Sequence, residues 1–142
     1  NLLGILSLSI AIEELEKRQS EWREHSLILR NHFENRIKIA LPWVNICCEN
    51  EDRLVNTSNI CFEGIEGESL LFSLDLLSYG VSLGSACSSG SVEPSHVLLA
   101  LGYDEKRARS SLRFSFSHHN SLKSVDGLVD DLVKIVKRLP RK

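Results

Sequence analysis

The sequence has no methionine, three prolines, and aromatic residues at only 6% of its 142 positions. A chain that begins at Asn1 with no methionine anywhere reads as a fragment or a processed piece of a longer product. No run of about 18 apolar residues occurs, so no membrane-spanning helix is expected. The apolar opening NLLGILSLSIAI is too short to span a bilayer. It also lacks a basic leader and runs on into a charged helical pattern, which excludes a signal peptide. Neither charge sign dominates. Seventeen Lys and Arg stand against 19 Asp and Glu, a net charge of -2, which excludes a strongly basic nucleic-acid surface. The closing Lys137, Arg138, Arg141 and Lys142 read as a solvated terminus. Only four cysteines are present: Cys47, Cys48, Cys61 and Cys87. Without an export signal they read as reduced thiols in a cytoplasmic protein, not as a disulfide framework. No CxxC or HxxxH pair occurs, and His118 and His119 are expected to point apart at a strand end, so no metal site is expected.

The 42% hydrophobic content allows one domain with a core. Apolar Leu8, Ile12, Leu15, Trp22, Leu27, Leu29, Phe33 and Ile37 recur at spacings near three and four. They predict one long helix over residues 2–39, ended by Pro42. Its apolar start is expected to pack against something outside this chain. WVNICCE (43–49) and NICFEG (59–64) have strand character, the latter with Ile60 and Phe62 on one face. A helix over residues 68–78 buries Leu70, Leu71, Leu74 and Leu77, with Gly80 as its C-cap. A short strand, VSL, leads into a cysteine loop. Pro94 then opens the helix PSHVLLALG, which Gly102 ends, and Asp104 caps a short helix through Ala108. SSLRFSFS alternates strictly, with Leu112, Phe114 and Phe116 on one face and Arg113 and Ser115 on the other. Asn120 or Ser121 caps a last helix to Leu139, with Val125, Leu128, Val129, Leu132, Ile135 and Val136 inward. The expected fold class is α+β: a small mixed β-sheet covered by helices on one face, preceded by a long N-terminal helix.

One stretch remains unexplained by packing. SLGSACSSGSVEPSH runs over residues 82–96 with no large side chain between Leu83 and Val92. Such a segment cannot anchor itself by burial, and its glycines make the backbone permissive. Cys87 at its centre is poorly suited to a structural role, since structural thiols prefer burial. It suits a thiol that meets one group, accepts something, and carries it elsewhere. A flexible surface turn with an incidental cysteine fits the composition equally well. Arg113 is the second feature. A mid-strand guanidinium reads carboxylates or phosphates bidentately, and the alternative is an ordinary solvent-facing arginine. Together the two point to an amino acid or another small anion as substrate. His96, close to Cys87 in sequence, reads either as a tuner of the thiol or as an ordinary surface histidine.

The stretch EGESLLFSLDLLSYGVSLGSACSSGSVEPSHVLLALGYDEKRARSSLRFSFS closely resembles the C-terminal part of cysteine desulfurases of the NifS/IscS kind, class V aminotransferases that use pyridoxal 5'-phosphate. The likeness spans roughly residues 56–139, and the ordered set of motifs is specific where GSAC alone would be weak. It implies the C-terminal domain of a fold-type I pyridoxal phosphate enzyme. Residues 1–41 would form a helix connecting to a large cofactor domain, and residues 42–142 a small domain with a catalytic-cysteine loop at 82–94. Cys87 resembles the catalytic cysteine that takes the substrate sulfur as a persulfide, leaving alanine. Arg113 resembles the arginine that holds the substrate carboxylate. Asn59 and the EGES turn (66–69) resemble structural positions. The long loop is similar to that of group I members, in which it lets the thiol travel from the cofactor to an acceptor. The family's cofactor lysine has no counterpart here: Lys17, Lys38, Lys106 and the lysines of the last helix and its lead-in stand in the wrong context. The isolated chain is therefore expected to bind no pyridoxal phosphate and to be inactive. For the full-length enzyme the resemblance implies L-cysteine as substrate, a sulfur-acceptor or iron–sulfur scaffold protein as partner, and a homodimer. The competing readings are a selenocysteine lyase-like enzyme and a stand-alone persulfide carrier without cofactor.

Overall fold

In a computed structural model that describes residues 1–83 and 93–141, the first 40 residues are dominated by a single helix, α1 (Leu2–Ala40). Asn1 caps it by accepting the Gly4 N–H at 2.9 Å. It stops as Pro42 requires, with the Leu41 N–H still bonded to the Ile37 carbonyl at 2.8 Å. The two halves of α1 differ. Residues 1–21 are exposed throughout, including Leu8, Ile12 and Leu15 of the expected stripe. Leu29, Phe33 and Ile37, four residues apart, are fully buried.

The strands are β1 (Asn45–Ile46), β2 (Thr57–Cys61), β3 (Ser82–Leu83) and β4 (Ser111–Ser115), in the order β1-β2-β4-β3. The helices after α1 are α2 (Gly67–Asp75), α3 (His96–Ala100), α4 (Glu105–Arg109) and α5 (Leu122–Arg138). The α+β class is the one expected. Every bonded pair is antiparallel, where a mixed sheet was expected. The reason is topological: β4 inserts between β2 and β3, separating the two parallel strands that the α2 crossover joins.

One face of the sheet carries Ile46, Ile60, Leu112 and Phe114 into a core shared with α1, α2 and α5. Phe33 packs against Phe114 and Phe116 at ring-centroid distances of 4.7 and 5.3 Å. Ser121 caps α5 through the Ser124 N–H in a reciprocal capping arrangement. The opposite face is covered at one end, where Leu98, Tyr103 and Ala108 of the α3–α4 segment pack over Cys47 and Cys61. The rest of that face is polar.

Several local expectations are corrected. The first strand shrinks to two residues because Cys48 adopts a left-handed φ of 52° and turns the chain. The second runs over Thr57–Cys61 and yields to a turn at Gly64 (φ 85°). Gly80 is not the cap of α2. Ser78 takes the left-handed conformation (φ 65°), and the Tyr79 N–H bonds the Leu74 carbonyl at 3.0 Å. Leu77 thereby leaves the buried stripe and is 50% exposed. Ser95 caps α3 by accepting the Leu98 N–H, so Pro94 lies before the helix and not in its first turn.

Gly67 starts α2 where backbones nearly touch. A Cβ there would lie 2.5 Å from the Arg109 carbonyl oxygen and 2.7 Å from Leu83 Cδ2. Gly67→Ala is expected to cost about 1–3 kcal/mol, because backbone must move. Gly80→Ala, with nothing within 4 Å, is the matched control. Urea unfolding of the two variants measures the difference.

Candidate functional site

The polar face of the sheet places the candidate residues. Burial along β4 alternates, so Leu112 and Phe114 face the core while Arg113 and Ser115 face out. Arg113 is exposed at the middle of β4, and its side chain makes no hydrogen bond or ion pair with another described residue. Its neighbours are fixed by register. Asn59 of β2 lies opposite on one side and Ser82 of β3 on the other. Thr57 and Ser115 form the next row. A guanidinium held on a strand, flanked by small polar side chains, can present its fork to a carboxylate.

On the other side of Arg113, away from Thr57 and Ser115, the face closes. Cys61 lies opposite Ser111, and both are buried. Burial pushes the Cys61 thiol up to about 11 and also raises Cys47. The Tyr103 hydroxyl, on the covering segment, accepts the Cys48 N–H at 3.0 Å. These three cysteines are structural by position.

Cys87, with the rest of residues 84–92, lies outside the described residues. The segments on either side are described. β3 ends at Leu83, and its Ser82 pairs with Arg113. The described residues begin again at Glu93 and enter α3 through the buried Ser95. His96 is the first residue of α3 and is exposed.

His118 and His119 do not point apart. They sit in the turn after β4 with ring centroids 3.9 Å apart, and His118 stacks on Trp22 at 4.0 Å with planes 8° apart. Desolvation in that stack, followed by the neighbouring His119, lowers the His118 pKa. Among the described residues no group of three or more His, Cys, Asp or Glu side chains could hold a metal ion.

Sequence reasoning located Arg113 but gave Asn59 only a structural role. The signal it lacked is strand register, which places Asn59 directly beside Arg113.

The model of the Aminotransferase class-V family matches residues 1–128. The chain belongs to that family. It is 38% identical over 98% of its length to a cysteine desulfurase of Gluconacetobacter diazotrophicus and 34% identical, also over 98%, to the cysteine desulfurase NifS of Azotobacter vinelandii. In each case it spans about 35% of the relative's length. The fold is similar to that of a solved NifS-like protein from Rickettsia africae, with a TM-score of 0.85 and 29% identity over 96% of this chain and 35% of that one.

The family implies pyridoxal phosphate, which needs an imine-forming lysine and a counter-charge for its ring. The polar face that carries Arg113 does not fit it. Thr57, Asn59, Cys61, Ser82, Arg113 and Ser115, which share the polar face, include no lysine. Lys38 is paired with Glu49 and Lys134 with Asp131. A cavity of about 190 Å³ between β4 and α5, lined by residues such as Tyr79, Phe114, Asn120 and Ser124, holds neither lysine nor acid.

Proposed function

We propose that this chain is the part of a cysteine desulfurase that receives sulfur on Cys87 and reads the substrate carboxylate with Arg113. The observation that carries the proposal is the position of Arg113. It stands exposed and without a partner among the described residues, one strand from the Ser82–Leu83 strand that leads into the cysteine-bearing segment. Likeness to cysteine desulfurases over nearly the whole chain supports the same assignment.

In the net reaction the carbon–sulfur bond of L-cysteine breaks and a sulfur–sulfur bond forms on Cys87. The carbon takes up a proton to give alanine, and the sulfur leaves as a persulfide without change in the overall redox balance. Pyridoxal phosphate belongs, in this proposal, to the remainder of a longer parent, and the homodimer to the same parent. The persulfide sulfur passes to an acceptor, such as an iron–sulfur scaffold protein, in the cytoplasm. No described helix is long and apolar enough to cross a membrane.

Arg113→Ala in the full-length parent tests the proposal. Loss of charge-assisted bonds to a carboxylate is expected to raise KM for L-cysteine about 10–100-fold. Arg113→Lys is expected to recover only part of it, because an ammonium cannot reproduce the fork. Steady-state alanine production reads both, and an unchanged KM in Arg113→Ala would sink the assignment.

A further inference from the structure

The amide oxygen of Asn59 is buried and has no hydrogen-bond partner. A buried carbonyl oxygen left unpaired is costly, so such an atom calls for a donor. The ladder identifies which one. Phe62 N–H bonds the Ser110 carbonyl and Phe116 N–H bonds the Asn56 carbonyl, both at 2.8 Å. Hydrogen-bonded pairs alternate with non-hydrogen-bonded ones along an antiparallel ladder. Asn59 and Arg113, three residues in from each of those bonded pairs, therefore form a non-hydrogen-bonded pair, the kind with the closest side chains. On its other side, Asn59 neighbours Cys47, whose N–H bonds the Asn59 carbonyl at 2.8 Å. Cys47 is buried and a weak donor, whereas Arg113 has five donors and no partner among the described residues.

We infer that Asn59 is a positioning residue for Arg113: its amide oxygen, unpaired in this structure, accepts from the guanidinium when the fork meets the substrate carboxylate, and so sets the plane of that contact. Asn59 does not itself touch the substrate. The inference rests on the assignment of Arg113 made above. It requires the two residues to act as a unit, and only toward ligands that carry a carboxylate.

The experiment uses the full-length parent with Asn59→Ala, Arg113→Ala and the double variant. The readouts are kcat and KM for L-cysteine and the inhibition constant of cysteamine, which lacks the carboxylate. Asn59→Ala is expected to raise KM about tenfold, with kcat and the cysteamine constant within about twofold, and to add nothing in the Arg113→Ala background. Asn59→Asp keeps the shape and decides the question even where Asn59→Ala does not fold. Its carboxylate pairs with the guanidinium and competes with substrate, so KM is expected to rise by more than in Asn59→Ala. If Arg113→Ala discriminates between the two ligands while the Asn59 variants shift both alike, or add fully to Arg113→Ala, Asn59 is a packing residue and the inference is overturned. If Arg113→Ala shifts both ligands alike, the carboxylate assignment itself fails and the inference falls with it.

Discussion

Cys87→Ala in the full-length parent is expected to reduce alanine formation from L-cysteine by about 10³-fold or more, the scale seen when an essential nucleophile is removed. Cys87→Ser is expected to fare no better, because a serine hydroxyl stays protonated where a thiol partly ionises. Rescue by another cysteine is excluded by the fold. Cys47 and Cys61 are buried beneath the α3–α4 segment. With its pKa pushed up to about 11, Cys61 exposes on the order of one thiolate in ten thousand at neutral pH. Cys48 is half-buried against Tyr103. Cys47→Ala and Cys61→Ala are therefore expected to keep turnover within a few-fold. Alanine release measures the loss, and mass spectrometry after substrate exposure should find one extra sulfur on the Cys87 peptide alone. Retained turnover in Cys87→Ala would remove the thiol from the chemistry.

What the sequence made legible was whatever repeats or punctuates. The long helix could be read because no glycine or proline interrupts it between Gly4 and Pro42, and its end falls there. β4 could be read because Leu112, Phe114 and Phe116 alternate with polar residues, and that alternation placed Arg113 on the outward face. Local backbone reversals were not legible. Ser78 and Cys48 take left-handed conformations that composition assigns to glycine. At Ser78 the surroundings compensate, since Tyr79 is tied through its hydroxyl to Asp131 of α5 at 3.1 Å. Strand pairing was not legible either. Period-two patterning gives the face of each residue but not its partner. Arg113 could therefore be singled out from sequence, while its neighbour Asn59 could not. Stacking of His118 on Trp22 is likewise invisible in the sequence, because it joins a turn to the middle of a helix 96 residues away.

Arg53→Ala is expected to destabilise the fold by about 3–5 kcal/mol at neutral pH, the cost of leaving a buried charge without its partner. Arg53, between β1 and β2, grips Glu34 of α1 with both ends of its fork at 2.6 and 2.9 Å. The two side chains are only 16% and 8% exposed. Burial is the largest influence on Glu34 and pushes its pKa up. The hydrogen bonds and charge of Arg53, aided by Arg30, outweigh it and leave the carboxyl below its usual range. A depressed folded pKa stabilises above the unfolded value, near 4.3, and that contribution is lost as pH falls through the folded pKa. In Arg53→Ala burial acts with less opposition, so the folded pKa rises and the sign reverses. The variant should gain stability relative to wild type as pH falls from about 7 to about 4, narrowing the gap. Replacing both partners, as in Glu34→Gln with Arg53→Met, should cost less than Arg53→Ala alone. Urea midpoints at the two pH values measure all of this, and a gap that widens in acid would contradict it. The consequence reaches the polar face, because the Arg53 clamp fixes the segment that leads directly into β2. A loosened clamp should blur the register that sets Asn59 beside Arg113.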